Sequence, residues 1–237
     1  MNSHIAHQKR IRLFIVSVFI SLSITTLGAR FSNGEVKKMD LSQDSFVINL
    51  PSPAQKGKMS LEEALKKRES VRSFSSDPLT KEDLSQLLWA VQGITRNWGA
   101  RTAPSAGALF PLEIYVVLKE GFFRYSPQGH NLARIIQQDL RNTLSKAALG
   151  QNCIGEASAV FVIAAVYERT SRKYGNRAER YVKMEAGHAG QNLLLQAVSL
   201  GLGAVPVGAF QDEQVRQALH LPVNHEPLYL IPVGWKR

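Results

Sequence analysis

The stretch Arg68-Glu69-Ser70-Val71-Arg72 sets two guanidiniums on either side of a hydroxyl. Arginine offers a planar fork of donors that matches phosphate oxygens, and a serine between two of them can donate alongside. The pattern reads either as a phosphate grip or as two cations complementing the end of a helix that stops there. A second stretch, Pro104-Ser-Ala-Gly-Ala-Leu-Phe-Pro111, places small residues between two prolines just before a strongly apolar run. With so little side chain, main-chain N–H groups can approach a flat or anionic ligand closely; the same composition also suits a plain tight loop. A third stretch, Gly201-Leu-Gly-Ala-Val-Pro-Val-Gly208-Ala209, holds a Gly-x-Gly without the further spacing of a dinucleotide fingerprint, and it follows a helical pattern instead of a strand. It reads as a helix stop and then a strand whose backbone approaches something at Gly208.

Other reactive residue types carry less. Cys153 is the lone cysteine, which excludes an internal disulfide and any cysteine cage, and it reads as an inert buried thiol. No His, Asp and Glu set has metal-ligand spacing, and His188 falls on what the periodicity makes the core face of a helix, where a structural role is expected. The 29 Lys and Arg exceed the 19 Asp and Glu, but beyond the N-terminus they are interleaved with acids. That favours a solvated basic face over a nucleic-acid partner, which would need a clustered basic surface with stacking aromatics.

These segments must be held by ordinary elements. A chain with 44% hydrophobic and 20% charged residues can bury one substantial core. Ser60-Leu-Glu-Glu63 reads as a capping box opening a first helix with Leu61, Ala64 and Leu65 as its stripe, and Thr80-Lys-Glu-Asp83 opens a second that stops at Gly93. Leu112 to Leu118 and Ala159 to Val166 are continuous apolar runs suited to buried strands, with Phe122 to Tyr125 as a short partner. A long helix is predicted from Ala178 to Leu200, with Tyr181, Met184, Glu185, His188, Gln191, Asn192 and Leu195 at helical spacing and Gly201 ending it. Val205 to Phe210 and Leu228 to Val233 are the last predicted strands. The mixture lacks regular βαβ alternation and so predicts an α+β fold.

Residues 1–29 read as an export signal: Lys9, Arg10 and Arg12 precede the apolar stretch Leu13 to Leu27, which ends at Gly28-Ala29. The stretch is short for the ~20 residues of a comfortable span, so cleavage is expected, and an uncleaved leader would be the only membrane contact. No cysteine follows to mark a lipoprotein junction. A flexible tether is expected over 30–58 and a folded domain over 59–237. The location expected is the periplasm or cell envelope of a bacterium.

Taken together, Arg68-x-Ser70-x-Arg72, Pro104 to Pro111, Glu185-Ala-Gly-His188 with Gln191-Asn192, Val205-Pro-Val-Gly208 and Leu230-Ile-Pro-Val-Gly234 resemble the nitroreductase superfamily, and within it the SagB-type dehydrogenases, relatives of the azoline oxidases. The resemblance runs from about Met59 to Arg237. It implies an α+β sandwich with a central, mostly antiparallel sheet flanked by helices, working as a homodimer with FMN at the interface. It implies that Arg68, Ser70 and Arg72 hold the phosphate and ribityl end, that Pro104, Ser105, Ala106 and Gly107 lie along the flavin, and that Gly208 N–H, after Pro206 and Val207, faces N5. Lys236 and Arg237 would add positive charge near the phosphate.

The azoline oxidases also carry a Lys-Tyr pair upstream of the same helix motif, and Lys173-Tyr174 stands in that place. Desaturation needs a base to take one proton while hydride leaves the neighbouring carbon, and a phenol beside an ammonium suits that role. The same residues also fit a solvated basic loop. The reaction expected is hydride transfer between a small organic or peptide substrate and flavin N5. An exported enzyme would meet little NAD(P)H, which favours oxygen or a quinone as electron acceptor. The competing expectation is an exported protein that binds a flavin or phosphate-bearing ligand without turnover.

Overall fold

Strand β5 (Ala159–Ala165) is buried along its whole length. Ala159, Phe161, Ile163 and Ala165 enter one core, while Val160, Val162 and Ala164 enter another. A strand with no polar face has to be covered on both sides. Strand β2 (Leu112–Leu118) alternates in the same way, Ile114 and Val116 to the first core, Tyr115 and Val117 to the second.

The computed structural model describes residues 46–237. Around β2 and β5 a sheet of seven strands forms with β1 (Val47–Asn49), β3 (Gly121–Ser126), β4 (Asn131–Ile136), β6 (Leu202–Ala204) and β7 (Glu226–Trp235), in the order β1-β4-β3-β2-β5-β7-β6. Every neighbouring pair is antiparallel. Helices α2 (Lys81–Gln92) and α6 (Ala178–Ser199) cover the first face through residues such as Leu87, Leu88, Ala189 and Leu193. Helices α3 (Arg141–Ala147), α4 (Asn152–Glu156) and α7 (Asp212–Ala218) cover the second through Leu144, Ile154 and Val215. This is the expected α+β sandwich. Two helices lie outside those layers in sequence: α1 (Leu61–Lys67) precedes α2, and α5 (Glu168–Tyr174) follows β5.

The helix ends follow from local chemistry. At the expected start of α2, Thr80 and Asp83 form a complete reciprocal box. At α1 only half of it forms: Ser60 Oγ accepts from Glu63 N–H, while the Glu63 carboxylate pairs with Lys67 one turn on. A β-carbon at Gly93 would stand 2.2 Å from the Trp89 ring, so only glycine fits where α2 stops. Gly201, at φ +80°, releases the chain from α6.

Three expectations need correction. The ladder strand ends at Ala204, and Val205 to Phe210 is not a further strand: exposed Pro206 has no N–H to give, and only Val207 makes a bridge, to Leu230. The tether expected over 30–58 is tied down from residue 46 onward. Val47 pairs with Ala133, Pro51 O accepts from Ser85 Oγ at 2.5 Å, and Ala54 N–H donates to Gln86 Oε1 at 2.8 Å. Of the apolar patch Phe46-Val47-Ile48, Val47 and Ile48 pair with β4 through the backbone and Ile48 packs on the core, while the Phe46 and Val47 side chains stay exposed. Finally, the core face of α6 is made by Val182, Ala186, Ala189 and Leu193, so His188 is exposed to solvent. The expected leader over 1–29 and the start of the tether lie outside the described residues.

Candidate active site

Arg68 caps the C-terminus of α1, its N–H bonded to Ala64 O at 3.0 Å. The chain then runs to the edge of β6, where Ser70 bridges Ala204 and Val71 N–H donates to Ala204 O at 3.0 Å. Gly203 allows that approach: a β-carbon there would lie 2.7 Å from Val71 Cγ1. Phe74 in turn bridges Lys236, and Arg237 N–H donates to Ser73 O. Arg68, Ser70, Arg72, Lys236 and Arg237 are thus gathered at one end of the sheet, although two of them come from the other end of the chain. Lys236 Nζ bonds Glu69 at 2.8 Å. Arg72 also acts on Cys153 at the start of α4, opposing the burial that pushes that thiol above its ordinary range.

The segment Val205-Pro206-Val207-Gly208 leaves β6 along β7. Val207 exchanges both backbone hydrogen bonds with Leu230, at 2.8 and 3.0 Å, and Gln151 Nε2 holds Ala209 O at 2.8 Å. Pro206 and Gly208 are exposed, and a β-carbon on Gly208 would meet nothing within 4 Å. The main chain here is pinned from behind and bare in front.

A second group forms at the far end of β5. The loop Pro104 to Pro111 makes one tight turn over Ala106–Ala108, with Gly107, Ala108 and Phe110 all at positive φ (62°, 54° and 46°). Backbone strain of this kind persists only where surroundings hold it and gathers at functional sites. Ser105 Oγ accepts from Phe110 N–H at 2.9 Å, and Val166 N–H donates to Pro111 O at 2.8 Å. Helix α5 then returns over the loop. A β-carbon on Gly107 would be 2.9 Å from Tyr174 Oη and 3.0 Å from Lys173 Nζ, so the expected loop and the expected Lys-Tyr pair meet. The Tyr174 ring stands edge-on to Tyr181 with centroids 5.0 Å apart. Arg169 fixes α5 to the loop: it donates to Phe110 O at 3.0 Å and pairs with the buried Glu113, which Arg124 also grips at 2.8 Å.

Beneath this loop lies a polar cluster that the sequence reading did not assign. Glu185, only 2% exposed on the core side of α6, is pushed up to about 7 by burial, with Ser105, Gln92 and Arg101 pulling the other way. Its Oε1, Gln92 Nε2 and Arg101 Nε are buried without a hydrogen-bond partner among the described residues. The available signal was a carboxylate one residue from Ala186 on the buried face of α6; charged residues are almost never fully buried without reason.

Within one chain, then, the arginine segment joins the sheet at the Ala159 end of β5 and the loop under the Lys-Tyr pair at its Ala165 end, the two ends of a seven-residue strand about 20 Å long. Residues 65–235 match the model of the nitroreductase family. The chain belongs to that family.

A nitroreductase-type protein from Methanocaldococcus jannaschii is 46% identical over 199 residues, covering 81% of this chain and 98% of the relative. The crystal structure of a nitroreductase-type protein from Ralstonia eutropha superposes with a TM-score of 0.74 at 34% identity, covering 81% of this chain and 90% of that one. An oxygen-insensitive NADPH nitroreductase of Salmonella typhimurium is 26% identical over 174 residues, 70% of this chain and 61% of its own. The family match makes the protein an oxidoreductase. It contains all the expected site residues except Lys236 and Arg237, which lie just beyond it.

Proposed function

We propose that this nitroreductase-family oxidoreductase is an FMN-dependent dehydrogenase or oxidase of the SagB type, moving hydride between a small organic or peptide substrate and flavin N5. The observation that carries the reading is the meeting of Lys173 and Tyr174 with Gly107. A base pair of that kind, pressed against a strained loop of small residues, suits removal of a proton beside the carbon that gives up hydride.

The residues fit the cofactor. Bare main chain at Gly208, with open space where a side chain would stand, suits a flat ring. Arg68 and Arg72, with Ser70 between them, suit the phosphate, and Lys236 adds charge beside them. When bound, FMN supplies a two-electron acceptor at N5. The protein's own part is to bind, orient and move a proton: the guanidiniums hold the anionic tail, Gly208 N–H orients the ring, and the Tyr174 oxygen, in its deprotonated form with Lys173 Nζ offsetting its negative charge, takes the proton and becomes the neutral hydroxyl. The ammonium stands 5.5 Å from the Tyr174 ring centre, close enough for that.

Because the two groups lie at opposite ends of β5, the same reading makes the working form a homodimer in which the loop of one copy faces the arginines of the other. Leu61 and Leu65 on α1, 61% and 53% exposed, with Met184 on α6, supply an apolar face for it. Export by residues 1–29 completes the reading and favours oxygen or a quinone over NADPH as the redox partner.

The test is spectroscopic. The purified protein is expected to be yellow, Arg68→Ala with Arg72→Ala to lose the chromophore, and Tyr174→Phe to keep it while its reduction by substrate slows by about a hundredfold or more. A colourless protein reconstituted with no FMN sinks the cofactor; unchanged reduction in Tyr174→Phe sinks the base. Flavin that binds but is reduced by no donor would favour the non-catalytic alternative.

A further inference from the structure

At the foot of the same loop a cavity of about 310 Å³ opens between α2, β2 and β3. Three guanidiniums, of Arg101, Arg124 and Arg169, face it against a single carboxylate, Glu113. Glu113 is already taken: one oxygen pairs with Arg124 and the other with Arg169. Arg101 makes no ion pair among the described residues. Its terminal nitrogens bond only neutral oxygens, Gln92 O at 3.1 Å and Gln128 Oε1 at 3.3 Å, and its plane lies 5.3 Å from the Phe110 ring. Burial pulls the Arg101 guanidinium below its ordinary range, with Tyr125, Glu113 and Glu185 acting in the opposite sense. Glu185 is the other carboxyl near it, and burial raises that group to about 7, so that at neutral pH it carries only part of a charge.

Beside the cavity two donors are buried without a hydrogen-bond partner among the described residues: Arg101 Nε, and Nε2 of Gln92, a residue 2% exposed that also acts on Glu185. Buried donors of this kind are normally satisfied, and each costs about 1–3 kcal/mol if left so. The rest of the wall is mostly apolar, made by Phe110, Leu112, Ile114, Pro127 and Ala133 with Tyr125 and Ser126. Arg124, whose side chain is half exposed, opens the cavity to solvent.

We propose that this cavity is a binding site for a small apolar carboxylate, its oxygens on the Arg101 guanidinium and its hydrocarbon body against Leu112, Ile114 and Ala133. The charge excess selects an anion, and the apolar wall selects one that carries hydrocarbon. The site is separate from the Arg68, Ser70 and Arg72 group and stands whether or not FMN is the cofactor.

Isothermal titration of the whole protein with benzoate, acetate, methyl benzoate and inorganic phosphate at constant ionic strength tests it. Benzoate is expected to saturate one site per chain, acetate to bind more weakly for want of the apolar body, and neutral methyl benzoate and phosphate not to bind there. Arg101→Gln should weaken benzoate about tenfold or more, the loss of one charge-assisted hydrogen bond. Ala133→Leu, which fills the cavity and leaves every charge in place, should do the same, so the test survives if Arg101→Gln does not fold. Benzoate binding unchanged in both variants would place the ligand elsewhere. Phosphate binding as tightly as benzoate would make this an inorganic-anion site, and no binding of any anion to millimolar concentration would leave the donors to water; each result overturns the proposal.

Discussion

Gly107 and Tyr174 are in contact through the one position on the loop that has no side chain: the site of a β-carbon at Gly107 lies 2.9 Å from the Tyr174 hydroxyl. Gly107→Ala would meet two costs at once, since φ is +62° and the new methyl collides with both Tyr174 and Lys173. The expected outcome is a loss of about 1–2 kcal/mol of stability from the backbone alone and a fall of about tenfold or more in flavin reduction by substrate, with the bound chromophore retained. Denaturant melts and rapid-mixing absorbance measure the two effects separately. A variant that reduces its flavin at the parental rate would show that the contact does not position the pair.

Glu185 makes stability depend on pH. Its carboxyl is held at about 7, above the unfolded value of 4.5, so the folded protein binds the proton more tightly than the unfolded chain. The contribution is therefore complete below pH 4.5 and is lost as pH rises through about 7, on the order of 3 kcal/mol in all. Glu185→Gln should flatten this part of the stability curve, read as the denaturation midpoint between pH 4.5 and 8. An identical slope in the variant would assign the dependence to another group.

Glu113 ties three elements together, and it is nearly buried while its two arginines remain partly exposed. Glu113→Gln keeps the shape and removes the charge, leaving Arg124 and Arg169 to repel one another. A loss of about 1.5–3 kcal/mol in urea unfolding with unchanged m-value is expected, the range for hydrogen bonds to charged groups. Because Arg169 anchors α5, turnover should fall as well. A stable variant of full activity would mean that the Phe110 contact alone holds the helix.

Leu61→Asp with Leu65→Asp addresses assembly. Both side chains are mostly exposed in a single chain, so the pair should not destabilise the fold by more than about 0.5 kcal/mol. Sedimentation is expected to shift from dimer to monomer, with loss of bound flavin in the same variant. A monomeric protein that keeps its flavin would refute the shared site.

Where one kind of residue ran unbroken, the chain could be read directly. The seven apolar residues of β5, the Thr80 box and the long helical pattern before Gly201 each point to one answer, and each formed. The Arg68, Pro104 and Gly208 segments were recognisable because their composition is unusual for any ordinary purpose. What failed was whatever depends on a distant partner. Asn131–Ile136 mixes polar and apolar residues and becomes a strand only because β3 and β1 flank it. The residues around Lys173 read equally as a basic loop, and it is the Arg169 anchor to Phe110 and Glu113 that fixes them as a helix over Gly107. Gln92, Arg101 and Glu185 come from two helices and a loop, so no local pattern announces that they share a cavity wall or a buried cluster. On α6 the stripe read as core was one step out of phase with the true one, because Ala186 and Ala189 are as buried as the larger residues and weigh little in a periodicity.

Strand β1 closes the outer margin of the sheet by lying on β4. Without those three residues, the backbone amides and carbonyls along the open side of Asn131–Ile136 would be left to recruit any extended chain nearby, the ordinary route to sheet-to-sheet clumping. A version of the protein cut back to residue 65, where the family match starts, would still contain every residue assigned to chemistry and would nonetheless be the one most prone to fall out of solution.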